Sequence, residues 1–121
     1  MITSIIFSKD RALQLDLTLK TIKQNFKLSD DIIAIYKTSE QQHEESYEAL
    51  KGEHPDVTFR KQSSSLFLDI MDTINSVRSD YVCFFTDDNI VYRKIDITKD
   101  DINNLFNLVD SSGERIGCSC L

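Results

Sequence analysis

The chain has 121 residues, enough for one domain with a buried core. Its 40 % hydrophobic and 28 % charged residues exclude the disordered and fibrous classes. A net charge of −6, with 14 basic residues scattered along the chain, argues against a nucleic-acid polymer as partner, and no apolar run approaches a membrane span.

Residues 2 to 7, "ITSIIF", read as a buried strand rich in β-branched residues. The start, "MITSIIFSKDR", has no basic leader and too short an apolar core for a signal peptide, so a cytoplasmic location is expected. "ALQLDLTLKTIKQNF" is ambiguous. Leu13, Leu15, Leu17 and Leu19 alternate as in a strand, whereas Ala12, Leu15, Leu19, Ile22 and Phe26 fall at helical spacing. Leucine is a strong helix former and no Pro or Gly interrupts, so a helix is expected, with Asp10 as its N-cap.

"DIIAIY" (31 to 36) reads as a second strand, and "SEQQHEESYEALKG" as a solvated helix closed by Gly52. "HPD" makes a turn before a short strand, "VTFR" (57 to 60). After three serines comes a helix with Phe67, Ile70, Met71, Ile74 and Val77 on one face. "YVCFF" (81 to 85) is apolar throughout, as a strand covered on both faces should be. "IVYR" (90 to 93) reads as a fifth strand. Thr98 opens a capping-box-like Thr-x-x-Asp, and Ile102, Leu105, Phe106 and Val109 give the last helix a core face. "IGCSCL" closes the sequence as an apolar fragment. This rhythm predicts one α/β domain over residues 1–121, three-layered, with a mostly parallel sheet between helices.

The cysteines and histidines suggest little chemistry. Cys83 sits in an apolar run and reads as a small hydrophobe. Cys118 and Cys120 are too close for an unstrained disulfide, and His43 and His54 lie far from them. No Ser-His-Asp or Cys-His pairing emerges. Tyr36, Tyr47 and Tyr92 read as packing residues, with Tyr36 leading into an exit loop where it could edge a base.

Open α/β sheets bind ligands beyond the carboxyl ends of their strands. The exits here are "SKDR" (8 to 11), "KTSE" (37 to 40), "KQSSS" (61 to 65) and "TDDN" (86 to 89), which should gather on one edge. "TDDN" offers carboxylate and amide oxygens to a hard divalent cation, which could clamp a diphosphate and neutralise a leaving group. The same residues also suit an ordinary solvated turn. In "SKDR", Asp10 could accept from a base or ribose and Arg11 could pair with an anion; a cap and a surface arginine fit equally.

"IIFSKDRALQL", "IIAIYKTSE" and "YVCFFTDDNIVY" together resemble the donor-binding N-terminal half of GT-A type nucleotide-sugar glycosyltransferases, close to family 2. The resemblance implies a GT-A/Rossmann-like nucleotide-binding fold and a nucleotide-diphospho-sugar ligand. It places Asp10 and Arg11 near the base, and Thr38 and Ser39 on the ribose side. Asp87, Asp88 and Asn89 would hold ribose hydroxyls and a bridging Mn²⁺ or Mg²⁺. The metal motif reads either as Asp87-x-Asn89 or with Asp88 at the metal position, and Asp88 is favoured. "YKTSE" lacks the paired aspartates common in the family. The acceptor half, which normally supplies the general base, has no counterpart here, so no catalytic residue is assigned. The resemblance thus describes a truncated glycosyltransferase domain, whose unfinished C-terminal sheet edge would favour self-association into a homo-oligomer.

The competing reading is a non-catalytic module that holds a nucleotide or a protein partner. A phosphoacceptor receiver domain has similar length and rhythm, but its acidic pair after the first strand and lone Asp after the third are replaced by "SKDR" and "KQSSS".

Overall fold

In the computed structural model, which describes residues 1–63, 65–108, 113, 114 and 117, strands and helices alternate. The strands β1 (Ile2–Lys9), β2 (Asp31–Lys37), β3 (Thr58–Lys61) and β4 (Tyr81–Thr86) form one sheet. Their order is β3-β2-β1-β4, and every neighbouring pair is parallel. The helices are α1 (Ala12–Asn25), α2 (Gln41–Glu53), α3 (Leu66–Ser76) and α4 (Lys99–Phe106). The α/β class and the parallel sheet expected from the sequence are both present.

The connections explain the layering. α1 links β1 to β2 and α2 links β2 to β3, each a step in the same direction. α3 then returns the chain past β2 and β1 to β4. Right-handed crossovers therefore place α1 and α2 on one face and α3 on the other. Packing agrees. Ile6, Ala34 and Tyr36 meet Leu15, Leu19, Ile22, Tyr47 and Leu50 on the first face. Ile5, Ile33 and Ile35 meet Ile70, Ile74 and Val77 on the second. β1, with a strand on each side and helices above and below, is buried from Ile2 to Ile6.

The helical reading of residues 12–26 holds, because Leu15, Leu19, Ile22 and Phe26 are buried while Leu13 and Leu17 face solvent. Thr98 forms the full capping box with Asp101. Ser65 caps α3, its side chain accepting from the Leu68 amide.

Several expectations are corrected. Asp10 is not the cap of α1: Arg11 occupies that position without a side-chain bond, and Asp10 turns into a left-handed conformation at φ 55°. Gly52 does not close α2, which runs on to Glu53 with His54 as its C-cap. The His54 ring is buried between Lys23 and Asp16, 2.7 Å from each, and holds that end in place.

The expected fifth strand at 90–93 is absent. Val91 instead donates its amide to Thr21 Oγ1 and accepts from Asn25 Nδ2, and the Ile95 amide donates to the Asn25 carbonyl. The segment is a strap along α1, its backbone satisfied by helix groups and not by a ladder. Among the described residues β4 is therefore an edge strand. It is only partly covered, with Phe84 half exposed, against the expectation of cover on both faces. On α3, Phe67 and Met71 are exposed. Val109 and most of "IGCSCL", including Cys118 and Cys120, lie outside the described residues. Among the described residues no helix is long and apolar enough to cross a membrane.

Leu19→Ala should destabilise the fold by about 2–5 kcal/mol, because Leu19 is fully buried. Phe67→Ala, at 68 % exposure, should stay within about 0.5 kcal/mol. Urea unfolding of both variants checks which apolar positions form the core.

Candidate functional site

The strand order places a topological switch between β1 and β4, where successive crossovers diverge to opposite faces. A crevice at the carboxyl ends of the strands is the geometric consequence. Here it is an open cleft of about 390 Å³. Phe7, Lys9 and Arg11 line it from β1 and its exit, Ile35 and Lys37 from β2, Leu66 from α3, and Thr86 and Asp87 from β4. A second hollow of about 210 Å³ lies at the opposite end of the sheet, around Phe26 and Asp30.

Asp87 is the buried member of the acidic turn, only 7 % exposed. Its Oδ2 accepts from the Ser8 hydroxyl at 2.9 Å and from the Lys9 amide at 3.3 Å. Its Oδ1 lies 3.9 Å from Arg11 Nη1, and its carbonyl accepts from Thr18 Oγ1 at 2.9 Å. The Tyr47 hydroxyl, reaching over from α2, sits 2.5 Å from Ser8 Oγ and accepts from the Arg11 amide at 3.1 Å. Ser8 gives its one proton to Asp87, so Tyr47 donates to Ser8. Burial pushes the Tyr47 hydroxyl above the usual phenol range, which keeps it neutral and donating. One chain of hydrogen bonds thus joins α2, β1 and the exit of β4.

Asp10 joins the first exit loop to the second. Its carboxylate accepts from Ser39 Oγ at 2.6 Å and from the Ser39 amide at 2.8 Å. Its own amide donates to the Lys37 carbonyl. The Ser39 hydroxyl and amide hold the Asp10 carboxyl below its ordinary value. The left-handed backbone of Asp10 is one that Asp tolerates better than most residues. Thr38 donates to Glu44 at 2.8 Å, which Lys61 also binds at 2.6 Å.

Asp88 and Asn89 are exposed. Thr86 donates its hydroxyl to Asp88 Oδ1, and that bond holds the carboxyl below its ordinary value. Asn89 Oδ1 accepts from the Thr86 amide at 2.8 Å and from its hydroxyl at 3.2 Å. The strand end is therefore capped by its own turn. Asp87 Oδ1 and the second oxygen of Asp88 are the carboxylate oxygens these bonds leave over. Carboxylate oxygens are the donor type that Mg²⁺ and Mn²⁺ take.

The expected residues thus fall into two linked groups. Asp10 meets Ser39, and Asp87 meets Arg11, with Asp88 and Asn89 on the adjoining turn; Thr38 turns toward α2. Ser8 and Tyr47 were missed. Ser8 looks like a polar exit residue, and a tyrosine on a solvated helix reads as packing. The only hint was that Tyr47, with Leu50, is one of two large apolar residues in a mostly polar helix.

Among the described residues, Asp16, Glu53 and His54 bring three potential metal-ligand atoms within 4.8 Å of one another. Lys20 on Asp16 and Lys23 on His54 already occupy that network, each at 2.7 Å. It reads as a tie between α1 and α2.

No protein-family model matches the chain, and no curated protein matches it. Among solved structures it resembles 4-diphosphocytidyl-2C-methyl-D-erythritolsynthase from Anaerococcus prevotii DSM 20548, with a TM-score of 0.60 and 14 % identity. The match covers 95 % of this chain and 61 % of that one, so this chain spans about three-fifths of that protein's length. The likeness establishes a shared α/β fold of the Rossmann-like type. Membership of glycosyltransferase family 2 gains no support from it.

Tyr47→Phe should cost about 1–2 kcal/mol by removing the hydroxyl between Ser8 and the Arg11 amide. Asp87→Ala should cost more, about 2–4 kcal/mol, since it strands Ser8 and the Lys9 amide; denaturant titration ranks the two. Asp10 offers a pH test. Its folded pKa is depressed, so its clamp contributes fully above the unfolded value near 3.8 and is lost as pH falls through the folded value. The Ser39 amide resonance should titrate with a midpoint below 3.8; a midpoint at or above it contradicts the clamp.

Proposed function

We propose that the chain binds a nucleotide diphosphate, carried as a nucleotide-diphospho-sugar, in the cleft between the β1 and β4 exits. The observation that carries this reading is the junction itself. A buried carboxylate, Asp87, ties the β1 exit to the β4 exit beside an open cleft at the switch point of a parallel sheet. The solved structure with the same fold is named for a diphosphocytidyl product, which supports a nucleotide ligand.

In this reading Arg11 and Asp10 lie beside the base, and Thr38 and Ser39 flank the ribose. Asp87 and Asp88 hold a Mn²⁺ or Mg²⁺ ion, with Asn89 fixing the turn that presents them. When bound, the ion would neutralise charge on the diphosphate as the sugar leaves. The chain's own residues bind and orient the donor. Transfer to an acceptor needs a general base, which none of these residues supplies, so catalysis depends on groups outside this cleft. In the second reading the same cleft binds a nucleotide without turnover. The edge of β4 that no described residue pairs, an apolar strand with Phe84 half exposed, favours that reading by offering a partner or a second copy a pairing surface. The setting for either activity is aqueous and cytoplasmic.

Thermal unfolding with UDP, GDP and CDP, each with and without Mn²⁺, tests the reading. Nucleotide at about a hundred times its dissociation constant stabilises by about 2.7 kcal/mol, a Tm rise on the order of 10 °C for a chain of this size. The rise should be larger with metal and nucleotide together than with nucleotide alone, and that gain should vanish in Asp88→Ala. No shift with any nucleotide overturns the reading.

A further inference from the structure

The cleft contains an unusual pair of charges. Lys9 and Lys37 end adjacent parallel strands and stand directly in register. By strand alternation Lys9 follows Ile5 and Phe7, and Lys37 follows Ile33 and Ile35, so both side chains leave the sheet on the α3 face. Both line the cleft and both are exposed. Like charges directly across a strand pair repel and destabilise the sheet.

Several lysines elsewhere in the molecule are paired with carboxylates. Lys61, next along the sheet edge, binds Glu44 at 2.6 Å. Lys20, Lys23, Lys51 and Lys99 each have a carboxylate within 3.3 Å. Neither Lys9 nor Lys37 has a carboxylate at ion-pair distance among the described residues. The three acids nearest the cleft are committed: Asp10 to Ser39, Asp87 to Ser8 and the Lys9 amide, and Asp88 to Thr86. Arg11 adds a third cation on the same wall, 55 % exposed and 3.9 Å from Asp87. Lys9 and Lys37 thus present two ammonium groups side by side in a concavity, with the carboxylates of Asp10, Asp87 and Asp88 around its rim and no ion pair to either lysine among the described residues.

We infer that Lys9 and Lys37 form an anion seat that takes a phosphate or diphosphate group directly, with no divalent cation between. The inference deepens the reading of the cleft as a ligand site and assigns the phosphate end to the β1–β2 side. Ammonium groups at neighbouring strand ends can share one phosphate, and its charge relieves their mutual repulsion. Thr86 and Asp87 line the other wall, where the proposed ion would sit, so the two sources of positive charge would flank the ligand.

The probe is inorganic pyrophosphate, titrated calorimetrically at low salt in EDTA. The chain should bind it without metal, and added salt should weaken binding. In Lys9→Gln/Lys37→Gln the affinity should fall at least tenfold, whereas Lys27→Gln, at the opposite end, should leave it unchanged. Without ligand the double variant should melt roughly 1–4 °C higher than the parent, because the repulsion is gone. Unchanged pyrophosphate affinity in the double variant overturns the anion seat, and so does a lowered melting temperature. The seat and the nucleotide reading fail separately. Pyrophosphate binding that depends on the lysines, with no nucleotide bound, upholds the seat alone. Nucleotide binding indifferent to the double variant upholds the nucleotide reading alone.

Discussion

The structure turns on the need to satisfy one buried carboxylate. Asp87 leaves β4 at the point where the sheet's connections diverge, and burial there is tolerable only with hydrogen-bond donors. Ser8 and the Lys9 amide supply them from β1, and Tyr47 supports Ser8 from α2. That requirement fixes the end of β4 against the end of β1 and sets the floor of the cleft. The first and second exit loops are joined in turn by Asp10 and Ser39. The rim is therefore held by side chains whose alternative is a stranded polar group, a rigid base for a ligand site.

The two faces of the sheet are unequal. α1, α2, α4 and the 90–95 strap share one face, and Tyr81 of β4 stacks on Phe106 of α4 at 4.9 Å. Among the described residues α3 alone serves the other, and its outward residues Phe67, Leu68 and Met71 are exposed. Phe7 and Phe84 stack at 5.8 Å between β1 and β4. The cleft opens on the α3 side, lined by Phe7, Ile35 and Leu66. The solved structure with the same fold is longer than this chain, and the match leaves 39 % of it uncovered.

The layout was largely legible because apolar periodicity dominates it. Leu15, Leu19 and Ile22 outweighed the competing alternation of leucines, since only the helix buries a continuous stripe. The strand at 90–93 was misread because β-branched residues look alike in a ladder and in a strap; Thr21 and Asn25 decide between them, and they lie in another element. Asp10 was misread as a cap because a cap and a clamp use the same side chain, and the second loop, distant in sequence, determines which it is. The exits that build the cleft could be named from the strand rhythm. Their internal wiring could not, since the partner of Asp87 is 79 residues away.

Amide chemical-shift mapping with CDP and Mg²⁺ on the isotopically labelled chain tests the central claim most directly. The account predicts that the largest changes fall on Ser8–Arg11, Lys37–Ser39 and Thr86–Asp88, the residues around the β1–β4 crevice. Changes confined to the opposite end, around Lys27 and Asp56, or no changes at all, would contradict it.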